Sequence, residues 1–107
     1  MMFPKVNPNH KRRVKKNPSV ITNKARQEVY RRADGKCERC GRTRAYAFEV
    51  AHLEQASQNG RGDVPWNLVL LCGPSTNSGT CHHWADSTSE GREWRMKKRK
   101  ELAALYG

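Results

Sequence analysis

The sequence predicts a small α+β domain held together by a structural zinc ion. A helix precedes two short strands, and helical segments follow them. Three observations carry that expectation. The four cysteines fall into two pairs, Cys37 with Cys40 and Cys72 with Cys81, and strand-like stretches lie between the pairs. Only 36% of the 107 residues are hydrophobic, so a large apolar core is out of reach and a metal or disulfide staple is called for. Apolar residues alternate around Phe48 and run together at 68–71, whereas 23–33 and 92–106 carry sparse apolar residues at helical spacing.

Residues 1–18 hold Pro4, Pro8 and Pro18 among many lysines and arginines, and read as a flexible basic tail ahead of a domain at 19–107. A helix follows at about 23–33. Thr22 or Asn23 caps its start, and Gly35 supplies the left-handed residue that ends it. Asp34-Gly35-Lys36 then turns the chain into the first cysteine pair. Residues 45–53 form a strand in which Tyr46, Phe48 and Val50 alternate against Ala47 and Glu49. The polar stretch 54–63 is a loop with two turn signals, Asn59-Gly60 and Arg61-Gly62. A second strand at 68–71 runs into Cys72, and a Ser/Thr/Gly/Pro/Asn loop leads to Cys81. A short helix starts near Cys81-His82 and carries Trp84. Gly91 interrupts, and 92–106 is the last helix, with Trp94, Leu102, Leu105 and Tyr106 available for packing. Trp66, Trp84 and Trp94 read as packing residues rather than base-stacking platforms.

The formal net charge is +11, large for this length, and points to a polyanionic partner. The excess sits in Lys11-Arg12-Arg13, Lys15-Lys16, Arg31-Arg32 and 95–100. Between residues 49 and 90 the balance is mildly acidic: Arg61 stands against Glu49, Glu54, Asp63, Asp86 and Glu90. The two ends therefore resemble phosphate-binding arms around a centre that tolerates a cation. The plain alternative is a basic protein with no nucleic-acid role. The longest apolar run, 68–72, is strand-sized, so no membrane partner is expected. Met1-Met2-Phe3-Pro4-Lys5 leads into no hydrophobic stretch, and the chain reads as intracellular. In a reducing compartment, paired cysteines favour zinc over disulfides.

Thiolates at Cys-x2-Cys spacing grip one zinc ion through a tight turn, and Gly41 after Cys40 suits such a knuckle. Cys72 and Cys81 are too far apart for a second knuckle but converge if the intervening loop bulges outward. The expected ligand set is Cys37, Cys40, Cys72 and Cys81. Disulfides are the alternative, and His82 or His83 in place of one cysteine is a variant.

Glu49-Val50-Ala51-His52, Asn67-Leu68-Val69-Leu70-Leu71-Cys72 and Cys81-His82 together resemble the HNH endonuclease family, in its four-cysteine zinc subgroup. The stretch from Leu71-Cys72-Gly73 to Cys81-His82-His83-Trp84 is similar to small HNH proteins encoded by bacteriophages. The resemblance covers about residues 26–92. It implies a ββα-metal (His-Me finger) core and a metal-dependent DNA endonuclease that binds the phosphate backbone, cutting one strand or both. It further implies that His52 is the general base and that Asn67 orients the finger or the base or joins the metal site. His82, favoured over His83, would ligate a catalytic divalent ion such as Mg²⁺, Mn²⁺ or Ni²⁺. If phage-encoded, the protein would act in the host cytoplasm.

Family members often carry a metal-binding Asp or His where this chain has Ala51. Replacement ligands would come from Glu49, Glu54, Asp63, His83 or Asp86, the last of which shares a helix face with His82 at i, i+4. A rival reading follows from Ala51: a non-catalytic zinc finger that binds DNA or docks on a phage packaging protein. A zinc ribbon binding RNA is a further alternative, though it needs neither His52 nor Asn67.

Overall fold

A computed structural model of the protein describes residues 18–55 and 60–107. The basic tail expected at 1–18 lies outside the described residues except for Pro18, as do 56–59 of the polar loop. The described chain is a small α+β fold of three helices and one two-stranded sheet. Helix α1 spans Asn23–Ala33, strand β1 Ala47–His52 and strand β2 Leu68–Gly73; helix α2 spans Cys81–Ser87 and helix α3 Ser89–Tyr106. A single 3-10 turn, Pro65–Asn67, delivers the chain into β2.

Helix α1 starts where the Thr22 hydroxyl accepts the Ala25 N–H at 3.1 Å. It ends at Asp34, whose φ of 53° is left-handed and whose N–H donates to the Tyr30 carbonyl. The terminator is thus one residue earlier than expected, because Asp tolerates this conformation and Gly35 (φ 77°) continues it. Ala25, Val29 and Ala33, spaced by four, form the buried stripe and pack on Leu68 and Leu70.

The strands pair antiparallel, from Ala47 opposite Gly73 to His52 opposite Leu68. The expected strand at 45–53 is shortened because β2 ends opposite Ala47, leaving Tyr46 90% exposed without a ladder partner. All six residues of β2 are buried. Leu68 and Leu70 face α1, while Val69 and Leu71 join Ala51, Leu53, Ala85 and Leu102 in a second cluster against α2 and α3. An unbroken apolar run is what a strand covered on both faces needs.

Thr80 caps α2, accepting the His83 N–H at 3.2 Å. Thr88, in extended conformation, separates α2 from α3 and accepts the Gly91 N–H at 2.8 Å. Gly91 therefore lies inside α3 rather than interrupting it. A Cβ there would stand 2.2 Å from the Trp84 carbonyl oxygen, so glycine is required by the close approach of the two helices. Trp84 and Trp94 pack edge to face at 6.2 Å between ring centroids. Leu105 is exposed, contrary to its expected packing role, whereas Tyr106 donates to Glu28 at 2.7 Å.

Among the described residues, no third strand pairs with the outer edge of β2. Glu38, between the first two cysteines, occupies that edge: its N–H donates to the Leu70 carbonyl at 2.8 Å and its carboxylate accepts the Leu70 N–H at 2.9 Å. Arg32 grips the same carboxylate with two bonds of 2.7 Å and also donates to the carbonyls of Pro65 and Leu68. Arg32 is therefore no phosphate contact, although it belongs to a basic run. Replacing it by Met leaves the half-buried Glu38 carboxylate without its ion-pair partner, so Arg32→Met is expected to lower unfolding free energy by about 3 kcal/mol, read from urea denaturation.

Candidate functional site

The four cysteine Sγ atoms lie within 4.8 Å of one another, and all four are free thiols. Tetrahedral zinc with bonds of about 2.3 Å spaces its sulfurs by about 3.8 Å, so the cluster accommodates one ion with little adjustment. The first pair is shaped by a turn in which the Gly41 N–H donates to the Cys37 carbonyl at 2.9 Å, with Gly41 at φ 76°. The second pair joins the end of β2 to the start of α2, and the Cys81 N–H points at the Cys72 sulfur at 3.3 Å. The intervening loop bulges away as expected. Neither His82 nor His83 joins the cluster.

The thiols differ in acidity. Burial pushes the Cys37 thiol up, but backbone hydrogen bonds from Cys40, Cys72 and Arg39 outweigh it and bring it to about 7. Burial dominates at Cys81, opposed by Arg39 and reinforced by Cys72, Cys40 and Cys37, and pushes it up to about 12. Thiols this close cannot all ionise unless a cation replaces their protons. Arg39 adds positive charge at the site, donating to the Cys81 sulfur at 3.4 Å with its guanidinium 3.5 Å from the Trp84 ring centroid.

Next to the cluster is a cavity of about 240 Å³ lined by Val50, Ala51, His52, Gln55, His82 and Asp86. Successive strand residues point to opposite faces, so a cavity touching 50, 51 and 52 runs along the open edge of β1. His52 and His82 are brought together here. His52 Nε2 lies 2.7 Å from the Ser19 carbonyl oxygen. A carbonyl only accepts, so Nε2 carries the proton and Nδ1 of the neutral ring keeps its lone pair.

His82 is held between two carboxylates. Its Nδ1 is 2.6 Å from Glu49 Oε1, and its Nε2 is 3.4 Å from Asp86 Oδ2, the i, i+4 partner. Glu49 also accepts the Ser75 N–H, and a Cβ on Gly73 would come 2.5 Å from its Oε1. Gly73 thus leaves the room that Glu49 needs. A carboxylate on one imidazole nitrogen fixes the tautomer and turns the other toward a ligand. His82 Nε2 and Asp86 form an N,O donor pair at the cavity.

Asn67 does not line the cavity. Buried at 1% exposure, its Oδ1 accepts from the Glu54 N–H (2.8 Å) and from Arg99 Nε (3.2 Å). Its Nδ2 donates to the carbonyls of Glu54 and Arg61. It clamps the chain leaving His52 onto the start of β2, and all its polar atoms are engaged. His83 Nδ1 donates to the Ser75 carbonyl at 2.9 Å. Of the other replacement ligands, Glu54 is paired with Arg99 and Asp63 with Arg61. A larger cleft beside α1 contains Glu28 and Asp63, but both carboxylates are neutralised by arginines.

One participant escapes a reading of the sequence, the Ser19 carbonyl, which carries no residue-type signal. Glu49 is among the replacement ligands the sequence offers, and the structure sets its carboxylate against His82 Nδ1. Among the described residues no helix is long and apolar enough to cross a membrane. Comparison with family models, curated proteins and solved structures finds no match to this chain, so the site is read from its own geometry.

Purified protein is expected to contain about one tightly held zinc per chain by elemental analysis, and Cys72→Ser to lose it. Stripping the ion with a strong chelator should collapse the cooperative thermal transition, because structural zinc contributes on the order of 10 kcal/mol to such folds.

Proposed function

We propose that this protein is a metal-dependent DNA endonuclease of the HNH type, with β1, β2 and α2 forming its ββα-metal finger and the four cysteines holding a structural zinc. The observation that carries this reading is the convergence of His52, His82 and Asp86 on one cavity beside the cysteine cluster. His52 Nδ1 takes a proton from water as the water oxygen bonds to phosphorus. The P–O3′ bond breaks, and the departing oxygen is protonated from solvent. Ser19 holds the imidazole in the tautomer that makes Nδ1 the basic nitrogen. His82 Nε2 and Asp86 would hold a divalent ion, and this mixed pair suits Mn²⁺ or Ni²⁺ as well as Mg²⁺. When bound, that ion neutralises charge on the scissile phosphate and the leaving oxygen.

In this reading Glu49 turns His82, Asp86 takes over as the second protein ligand, and the methyl group of Ala51 contributes only space. Asn67 orients the loop after His52 rather than touching the substrate. Exposed Arg92, Lys97 and Lys100 on α3 would meet backbone phosphates, while Arg32 and Arg99 are engaged within the fold. Ala51 favours the second reading, a DNA-binding zinc finger or phage packaging accessory without catalysis.

Supercoiled plasmid with Mg²⁺, Mn²⁺ or Ni²⁺ separates the two. Wild-type protein should convert it to nicked or linear forms, and His52→Ala should slow this about 100- to 10,000-fold with DNA affinity unchanged. Binding without cleavage in every metal would favour the accessory reading. Asp86→Asn should raise the metal concentration needed for half-maximal cleavage about 10-fold or more; an unchanged requirement would remove Asp86 from the ligand set.

A further inference from the structure

The side chains lining the histidine cavity divide unevenly by what they can do for an anion. Val50 and Ala51 are apolar, and Asp86 is a carboxylate. His52 gives its Nε2 proton to the Ser19 carbonyl, which leaves Nδ1 a lone pair. His82 gives its Nδ1 proton to Glu49, so Nε2 faces Asp86 as an acceptor too. Each of these atoms suits a proton or a cation, and none donates to an oxygen of a phosphodiester. Gln55 is the exception. Its amide Nε2 carries two N–H donors, and among the described side chains lining the cavity it is the one donor left for an anion.

The backbone around Gln55 is fastened, whereas its side chain is not. The Glu54 N–H and carbonyl are both bound to the Asn67 amide, at 2.8 and 3.1 Å, and the Glu54 carboxylate pairs with Arg99 at 3.1 Å. The Gln55 carbonyl accepts the Gly60 N–H at 2.9 Å. Gly60 approaches so closely that a Cβ on it would collide with the Glu54 carbonyl oxygen, so this contact requires glycine. Gln55 thus leaves an anchored backbone just beyond His52 and brings a half-buried side chain to the cavity. Among the described residues its amide has no hydrogen-bond partner, in contrast to the saturated amide of Asn67.

We propose that Gln55 is a further catalytic residue of this cavity, its Nε2–H donating to a non-bridging oxygen of the scissile phosphodiester while His52 Nδ1 activates the water. This role rests on the nuclease reading. No proton leaves the amide. The hydrogen bond strengthens as negative charge gathers on the phosphoryl oxygens, so it lowers the barrier more than it tightens binding.

The test uses full-length, zinc-loaded protein. Gln55→Leu should cleave plasmid about 10- to 100-fold more slowly in kcat, with little change in KM. Gln55→Lys keeps a donor and should outpace Gln55→Leu. Gln55→Glu keeps only acceptors and adds a carboxylate beside Asp86, so it should be slowest. All three should match wild type in zinc content and urea midpoint, because the amide bonds to nothing among the described residues. A wild-type rate in Gln55→Leu, or Gln55→Glu outpacing Gln55→Lys, would overturn the proposal and leave the nuclease reading standing. Binding is read separately in His52→Ala protein with Mg²⁺ and a short DNA duplex. There the Gln55 side-chain amide resonances, assigned by their loss when Gln55→Leu is added, should shift as duplex is titrated in, and unmoved resonances would overturn the proposal. If wild type cuts in no metal, the nuclease reading and the catalytic role fall together, and a shifted amide then keeps Gln55 only as a phosphate contact. If a substitution fails to fold, the remaining variants and this titration decide.

Discussion

The structure depends on how the free edge of β2 is satisfied. A two-stranded sheet exposes backbone groups on both outer edges, and β2 is buried along its whole length, where unpaired groups are costly. Glu38 takes both backbone groups of Leu70, and Arg32 locks Glu38 while capping the carbonyls of Leu68 and Pro65. One ion pair thus joins α1, the cysteine turn and the central strand. Because Glu38 sits between Cys37 and Cys40, the same contact sets the first two sulfurs near Cys72.

The cysteine cluster and the histidine cavity are mechanically one unit. Cys81 and His82 are adjacent at the start of α2, so whatever fixes the Cys81 sulfur also fixes the base of the His82 side chain. On the other side, Cys72 pairs with Phe48, next to the Glu49 that orients His82. An ion in the cluster would therefore hold α2 against β1 at the separation that brings His82 and Asp86 to His52. Thr80 reinforces this by capping α2 and pinning the loop that bulges between the cysteines.

Polar groups divide into those the fold consumes and those it leaves open. Asn67, Arg32 and Arg99 are saturated by internal partners and act as fasteners. Around the cavity, bonding capacity is left over: His52 has one nitrogen free of the Ser19 bond, and His82 Nε2 faces Asp86 at long range. A small domain tolerates such groups where function requires them, and their concentration at one place marks that cavity above the larger cleft beside α1.

The sequence by itself determined the element order, the four-cysteine cluster, and the pairing of His82 with Asp86 on one helix face. Those features rest on local chemistry: cysteine spacing, helical periodicity, and an apolar run long enough for one buried strand. The ends of the strands were not legible, because a strand stops where its partner stops. Gly91 read as a break for the same reason, since only the approach of α2 reveals why a side chain is excluded there. The basic runs misled most, as charge counts cannot tell the exposed Lys97 from the buried Arg95 or the internally bonded Arg32. Tertiary structure alone decided that Asn67 fastens a loop, that Glu49 turns His82, and that Ser19 selects the His52 tautomer. Each is a contact between residues distant in sequence, and packing, rather than local propensity, brings such atoms within hydrogen-bonding distance.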